Sequence, residues 1–363
     1  MKRGFFCTLA YGLILVCGCT KSADEAFKKG VSASQEGEYD AAIAHFTEAI
    51  RRDPKRAEAY YGRGAAYGNK GEYDTAIADF TEAIQRDSKY ADAYDDRGIA
   101  HARKGEFDRA IVDYTQAVRL NPKHAEAFNN RGIASGNRDE DAKALADYTS
   151  AIRLNPDFAE AYYNRGITYK RNGEFAKAIA DYTEVIRLDP KDAETYSNRG
   201  IAYGNKGEDD KAIADYTAAI EISPEYSDAY YNRGVTYKRK GEFDKAIADF
   251  TEVIRLDPKD AEAYNNRGSA YGSKGEHDKA VADSSEAIGL DAGFAEAYNN
   301  RAVSYGKLGQ YDKAVADSSE AIRLDPGFAE AYNNRGIAYG HLGEKAKAEE
   351  DLAQAKTLGY KSP

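Results

Sequence analysis

The chain has 363 residues, with 51 Lys and Arg against 61 Asp and Glu, and a formal net charge of -10 at pH 7. This acidic balance argues against a nucleic-acid partner, because binding to phosphates needs a surplus of basic side chains. All three cysteines lie within the first 19 residues, so the rest of the chain can form neither disulfides nor a thiolate metal site.

The start of the chain has the pattern of an export signal. A basic N-terminus precedes an apolar run at 5–16, which is too short for a comfortable permanent membrane span. The following Gly18-Cys19 resembles the lipobox of bacterial lipoproteins, in which a cysteine after a small residue is lipidated and becomes the mature N-terminus. The resemblance implies a signal peptide at 1–18, a palmitate-type lipid on Cys19 and a short tether at 19–22. Plain secretion and an uncleaved anchor are the alternatives.

The residue after this cysteine bears on the location of the protein. In lipoproteins of this kind an Asp at that position commonly signals retention at the inner membrane, whereas this chain has Thr20. The resemblance therefore implies an exported protein, anchored to the outer membrane and facing the periplasm. Because the body of the protein is acidic, an anionic membrane surface would repel it, and the lipid is expected to be its only link to the membrane.

After the tether, an Arg-Gly pair recurs with a period of 34 residues, from Arg63-Gly64 to Arg335-Gly336, with Arg301-Ala302 as the one departure. A fixed period of this length is typical of stacked-repeat proteins. With the glycine as position 8, the chain divides into ten repeats: 23–56, 57–90, 91–124, 125–158, 159–192, 193–226, 227–260, 261–294, 295–328 and 329–362. These repeats leave no room for a separate catalytic domain, so the protein is predicted not to be an enzyme.

Each repeat is predicted to be a helical hairpin, as repeat 7 (227–260) illustrates. Its first half has apolar residues at helical spacing and ends at Gly241. Its second half is amphipathic from Ala246 to Ile254, and Pro258 ends that helix. Small residues at position 8, usually glycine, and position 20, always alanine, predict a close crossing of the two helices.

This pattern resembles the tetratricopeptide repeat across 23–362. The matching features are an aromatic residue at position 4, Gly at 8, Tyr at 11, Ala at 20, an aromatic residue at 24, Ala at 27 and Pro at 32. The resemblance implies an all-α protein, a right-handed α-α superhelical solenoid of helical hairpins. Its first helices would line a concave groove and its second helices would face outward.

Position 7 is Arg and position 23 is Asp in nine repeats, and repeat 1 lacks both. This joint occurrence predicts an ion pair in each hairpin, for example Arg233 with Asp249, and the alternative is two independently solvated charges.

Other departures from the repeat pattern predict repeats that are locally less stable. In repeat 4, Asp139 replaces the turn glycine, while repeats 8 and 9 have Ser284 and Ser318 in place of the aromatic residue at position 24.

Position 6 is asparagine in seven successive repeats. An amide side chain both donates and accepts hydrogen bonds, so such a ladder can hold the backbone of an extended peptide. The superhelical repeats of the O-linked N-acetylglucosamine transferase carry a similar ladder. The predicted peptide-binding residues are Asn130, Asn164, Asn198, Asn232, Asn266, Asn300 and Asn334. The alternative is a polar residue merely tolerated on the helix.

Position 2 is acidic in every repeat, which suits a helix N-terminus or a groove for basic or neutral peptides.

Five histidines fall at five different positions of the repeat, so they do not recur as a ligand set, and neither a metal nor a cofactor is predicted. We therefore expect a membrane-anchored, non-enzymatic scaffold for protein–protein interaction, which binds extended peptide segments in its concave groove. An assembly factor for cell-envelope machinery is the first hypothesis for its role. A general holder or chaperone of unfolded or extended exported chains is the alternative.

Overall fold

A computed structural model describes residues 19–361, with side chains from residue 22 onward. Within this range, helices and the short turns between them make up the whole chain. The twenty helices are α1 (Cys19–Gln35), α2 (Tyr39–Arg52), α3 (Ala57–Asn69), α4 (Tyr73–Arg86), α5 (Ala91–Arg103), α6 (Phe107–Leu120), α7 (Ala125–Gly136), α8 (Asp141–Leu154), α9 (Ala159–Arg171), α10 (Phe175–Leu188), α11 (Ala193–Asn205), α12 (Asp209–Ile222), α13 (Ser227–Arg239), α14 (Phe243–Leu256), α15 (Ala261–Ser273), α16 (His277–Leu290), α17 (Ala295–Lys307), α18 (Tyr311–Leu324), α19 (Ala329–His341) and α20 (Lys345–Thr357). Each repeat contributes one odd-numbered and one even-numbered helix, which confirms the predicted all-α fold of helical hairpins.

The N-terminal boundary differs from the prediction. The predicted signal peptide at 1–18 lies outside the described residues. Helix α1 begins at Cys19, so the stretch 19–22, predicted as a tether, continues the first helix of repeat 1. This stretch contains neither proline nor glycine, and the guanidinium of Arg52 donates a 2.9 Å hydrogen bond to the carbonyl of Ser22.

The described chain falls into two compact units that divide after Leu188. The first unit contains α1 to α10 and the second contains α11 to α20. Within each unit, the two helices of a hairpin pack against each other, and the second helix of one hairpin packs against the first helix of the next. No hairpin could bury both of its faces alone, so neighbouring repeats stabilise each other.

In repeats 1 to 7, each hairpin is closed by the glycine at position 8 and the aromatic ring at position 24. A methyl group added to Gly200 would lie 2.7 Å from a ring carbon of Tyr216, so the ring lies directly against the backbone of α11. The two helices also cross closely. A methyl group added to Gly64 would lie 3.2 Å from the carbonyl oxygen of Ala76, which is at position 20 of the same repeat. The sequence indicated that the two helices cross closely, but it did not indicate that the ring at position 24 packs against the glycine at position 8.

Arginine at position 7 joins three helices. The Nε of Arg233 donates to Oδ2 of Asp249 at 2.9 Å, and its Nη2 donates to Oδ1 at 2.8 Å. Its Nη1 donates to the hydroxyl of Thr217 in the preceding repeat at 2.9 Å. The Asp249 side chain is only 6% exposed and that of Arg233 16%. The predicted ion pair is therefore confirmed, and the alternative of two solvated charges is wrong.

The same bidentate arrangement occurs in all nine repeats that contain these residues, with donor–acceptor distances of 2.7 to 2.9 Å. The pairs are Arg63–Asp79, Arg97–Asp113, Arg131–Asp147, Arg165–Asp181, Arg199–Asp215, Arg233–Asp249, Arg267–Asp283, Arg301–Asp317 and Arg335–Asp351. The planar guanidinium fork matches a carboxylate in this geometry, which a lysine at position 7 would not reproduce.

The predicted weak positions have identifiable local features. Asp139 has a φ of 56°, and it is the one non-glycine residue with positive φ in the described chain. Such a conformation costs a residue with a Cβ about 1 kcal/mol relative to glycine. The hydroxyls of Ser284 and Ser318 are buried without a hydrogen-bond partner in the described structure. Faster local opening of these repeats stays a prediction.

A polar face on the first helices of the repeats

Positions 2, 5, 6 and 9 of the first helix of each repeat lie on one side, because their spacing matches successive helical turns. We call this side the A-helix face. In repeats 6 and 7 it borders a cavity of about 330 Å³. The lining residues are Glu194, Ser197, Asn198 and Ile201 of α11, Asp228, Tyr231 and Asn232 of α13, and Tyr226, which immediately precedes α13. The structure thus brings together two of the predicted peptide-binding asparagines, Asn198 and Asn232.

The asparagine ladder makes contacts within the protein. In at least five of the seven repeats, Nδ2 of the position-6 asparagine donates to the position-5 side chain of the preceding repeat, at 2.8 to 3.4 Å. The donor–acceptor pairs are Asn130–Asp95, Asn164–Asn129, Asn266–Tyr231, Asn300–Asn265 and Asn334–Asn299. These bonds tie neighbouring hairpins together, so the ladder has a structural role that the sequence analysis did not assign.

The ladder bonds change what these amides can offer a partner. Nδ2 of Asn130, Asn164, Asn300 and Asn334 uses one of its two N–H donors for this bond, so each amide can still offer its second N–H and its oxygen to a partner. In Asn266 the oxygen also has a partner, since it accepts from Nζ of Lys238 at 2.6 Å. Peptide contact by these residues stays a prediction, and Asn266 is a member of the ladder whose nitrogen and oxygen are both engaged in contacts within the protein.

Position 5 is the functional position that the sequence analysis missed. The sequence does contain a pattern that could have identified this position. From repeat 2 onward, every residue at position 5 has a side chain that can accept a hydrogen bond. These residues are Tyr61, Asp95, Asn129, Tyr163, Ser197, Tyr231, Asn265, Asn299 and Asn333. Ser197 is the shortest of them, and its hydroxyl is hydrogen-bonded to the phenol of Tyr226. The Asn232 amide makes no hydrogen bond with the residues that the structure describes.

The phenols at the cavity are held by hydrogen bonds. The Tyr231 hydroxyl donates to Glu262 at 3.1 Å and accepts from Asn266 at 3.0 Å. Burial, together with the nearby Glu262 charge, raises the pKa of Tyr231 to about 12. Burial also raises the pKa of Tyr226. Both phenols are therefore neutral near physiological pH, and the charge of the cavity wall comes from the carboxylates of Glu194 and Asp228.

In repeat 3 the A-helix face has two buried aspartates. Burial raises the pKa of Asp95 to about 6, although His124 and Asn130 favour its charged form. Burial, followed by the charge of Asp95, raises the pKa of Asp96 well above its usual range, against the effect of a hydrogen bond from Tyr61. One carboxyl oxygen of Asp96 has no partner in the described structure. Ionised Asp96 is therefore unfavourable in the folded state.

Asp96→Asn is expected to raise the free energy of unfolding by about 2 kcal/mol at about pH 7. Because the folded-state pKa of Asp96 is raised, ionisation costs stability at high pH, and this cost disappears as pH falls toward the unfolded value of 3.8. The gain measured by thermal unfolding should therefore shrink on acidification. The control is Asp92→Asn, which removes the same charge from an aspartate that is partly exposed. A gain that grows on acidification would contradict the prediction.

Within residues 19–361, no three His, Cys, Asp or Glu side chains are grouped as metal ligands. Among the same residues, none of the helices combines the length and apolar character required to cross a bilayer.

Sequence comparison identifies the repeats. Profiles described as "Tetratricopeptide repeat" match 27–91, 91–124, 159–192, 181–214, 227–260, 250–282, 295–328 and 319–350. A profile described as "TPR repeat" matches 138–173 and 205–241. Together these matches cover more than half of the chain. A search of curated proteins finds no match.

Solved structures show the same kind of fold. The C-terminal part of a TPR repeat-containing protein from Cytophaga hutchinsonii matches with a TM-score of 0.57 and 22% identity, over 68% of this chain and 98% of that one. A tetratricopeptide repeat protein from Parabacteroides merdae matches with a TM-score of 0.50 and 21% identity, over 68% and 98%. YrrB, described as a TPR protein with an unusual peptide-binding site, matches with a TM-score of 0.46 and 26% identity, over 51% and 95%. The first two matches support the fold alone.

Proposed function

This chain belongs to the tetratricopeptide repeat family, and we propose that it is a non-enzymatic scaffold that binds extended segments of partner proteins along its A-helix faces. Proteins of this family mediate protein–protein interaction. The observation that carries the proposal is the cavity in repeats 6 and 7, where Asn198 and Asn232 lie beside the phenol of Tyr231 and the apolar side chain of Ile201.

Hydrogen bonding along the ladder suits this role. Where Nδ2 is bound to the preceding repeat, the asparagine is held in one orientation before a partner arrives, and this lowers the entropic cost of binding. Its amide oxygen can then accept from a backbone N–H of an extended segment. Exposed apolar residues at position 9, Val303 and Ile337, lie one helical turn farther along the same face and offer contact area.

An assembly factor for cell-envelope machinery is the role that we favour, and a lipid on Cys19 would hold the protein at the periplasmic side of the outer membrane. The lipobox-like Gly18-Cys19 and the export pattern before it support this location. The alternative is a holder of extended exported chains, which is favoured by backbone-directed amides because they do not distinguish side-chain sequence.

In-cell photo-crosslinking tests both roles. A benzophenone amino acid at Asn232 is expected to give one or two discrete adducts, whereas many adducts would indicate the holder. Ala248 lies exposed on the second helix of the same repeat, and the same probe there is the matched control. Adducts from position 232 that do not exceed those from position 248 would contradict binding at the A-helix face. Cys19→Ala should remove fatty-acid labelling and move the adducts from the membrane fraction to the soluble fraction.

A further inference from the structure

Lys238 is a basic residue on the A-helix side of the junction between repeats 7 and 8. It occupies position 12, which is glycine, alanine or serine in eight repeats and lysine in repeats 5 and 7. Position 12 lies about two helical turns after position 5, so Lys238 and Tyr231 are on the same side of α13. Both contact Asn266 of the next repeat. The Tyr231 hydroxyl accepts from its Nδ2 at 3.0 Å, and Nζ of Lys238 donates to its Oδ1 at 2.6 Å.

The ammonium group of Lys238 has no carboxylate partner in the described structure. The next two residues, also basic, do have such partners, because Arg239 pairs with Asp209 and Lys240 pairs with Asp210. Burial lowers the pKa of Lys238, and no nearby carboxylate opposes this shift. The bond to the ladder amide uses one of its three N–H donors, so two remain. A half-buried cation without a counter-charge is unfavourable, and a bound anion would stabilise it.

A role in joining the repeats does not account for Lys238. Asn266 already has its ladder bond to Tyr231. The same bond forms at Asn300 and Asn334, where the preceding repeat has glycine at position 12. The ladder therefore connects neighbouring repeats without a lysine.

A serine hydroxyl lies on the same part of the A-helix face. Position 9 is apolar in nine repeats, and repeat 8 has Ser269 there. Ser269 follows Asn266 by one helical turn of α15, so the two side chains are neighbours. Its hydroxyl makes no hydrogen bond within the part of the chain that the structure describes. The acid at position 2 of this repeat, Glu262, accepts from the Tyr231 hydroxyl and does not pair with Lys238. The junction thus presents one positive charge and one further O–H donor.

These groups fit a carboxylate, which has two accepting oxygens and the opposite charge. A cationic side chain would be repelled by Lys238, and a neutral one would leave the ammonium group without a counter-charge. We propose that Lys238 and Ser269 together bind an aspartate or glutamate side chain of the bound peptide. This inference rests on the proposed function, since the peptide backbone would lie along the A-helix face of repeats 7 and 8.

The test is a titration of the full chain with a short glycine–serine peptide that carries one central glutamate and is capped at both ends. The matched peptide has glutamine instead, which keeps the shape and removes the charge. At about physiological ionic strength, we expect the glutamate peptide to bind about tenfold more tightly, measured from amide NMR signals. It should also raise the pKa of Lys238, followed through the NMR signal of its ε-carbon, because a bound carboxylate favours the charged ammonium.

Three substitutions locate the effect. Lys238→Gln keeps an N–H donor for Asn266 but removes the charge, and it should abolish the preference for glutamate. The control Lys240→Gln removes the same charge from a lysine that already has a carboxylate partner, and it should keep the preference. Ser269→Val leaves the net charge unchanged and introduces the residue that repeats 7 and 9 have at position 9. It should reduce the preference about threefold, through the loss of one hydrogen bond.

The outcomes separate this inference from the proposed function. Equal affinity for the two peptides would overturn the carboxylate assignment and leave peptide binding intact. A preference that survives in Lys238→Gln, or that is lost equally in Lys240→Gln, would overturn it as well, because the effect would then not come from the ammonium group of Lys238. Tighter binding of a peptide whose only charge is its C-terminal carboxylate would overturn the assignment to a side chain. Failure of both peptides to bind would overturn this inference alone if crosslinks from position 232 form, and both proposals if they do not.

Discussion

Asp249→Ala is expected to lower the local free energy of unfolding of repeat 7 by about 3 to 5 kcal/mol. The substitution leaves the guanidinium of Arg233 largely buried without its carboxylate, and an unpaired buried charge is costly. It also frees the Arg233 side chain, which in the wild type bonds both Asp249 of α14 and Thr217 of the preceding repeat. Native-state hydrogen exchange of the amides of repeats 6 to 8 would measure this loss, because a long repeat array does not unfold in a single transition.

A double-mutant cycle isolates the pair itself. Arg233→Met combined with Asp249→Leu should be far less damaging than either single change, with a coupling energy of about 2 to 3 kcal/mol, because the double variant leaves no unpaired charge. The control cycle uses the exposed pair Arg255–Glu252 of the same repeat, whose coupling should be about 0 to 0.5 kcal/mol. Equal coupling in the two cycles would show that burial does not strengthen the Arg233–Asp249 pair.

Gly200→Ala is expected to destabilise repeat 6 by about 2 kcal/mol. The new methyl group would lie 2.7 Å from a ring carbon of Tyr216, and relief of this overlap requires a shift of the ring or of α11. The better helix propensity of alanine offsets only about 1 kcal/mol of the cost. Hydrogen exchange of the α11 and α12 amides, or the unfolding midpoint in urea, would measure the effect.

A neighbouring glycine supplies the control for this prediction. Gly204 lies one helical turn later in α11, and a methyl group there would meet atoms at 3.5 Å and 3.9 Å. Gly204→Ala should therefore be neutral or stabilising by up to about 1 kcal/mol. Repeat 9 indicates a compensating change, because it combines Ala302 at position 8 with the small Ser318 at position 24. Tyr216→Ser should accordingly cost less in the Gly200→Ala background than alone, and simple additivity would contradict the proposed clash.

The ion pairs and hairpins were predictable because their contacts lie within one repeat. Arg233 and Asp249 are 16 residues apart, and their joint absence from repeat 1 linked them in the sequence. The order of helix, turn glycine and second helix followed from the apolar spacing and from the residues that end helices. The asparagine ladder was visible as a pattern, but its partners at position 5 were not, since four different residue types occupy that position in repeats 2 to 10.

The sequence alone determined the period of 34 residues, the two helices of each repeat and the charged pair that joins them, because these depend on local backbone preference and on spacing within one hairpin. Tertiary structure decided that Asn266 reaches Tyr231 across 35 residues, that Tyr216 covers Gly200, and that Ser197 opens a cavity. Contacts between neighbouring hairpins, and the space left beside a short side chain, depend on the distance and rotation between successive repeats. Those quantities arise from the packing of all side chains at the interface, and no periodic pattern in a single repeat specifies them.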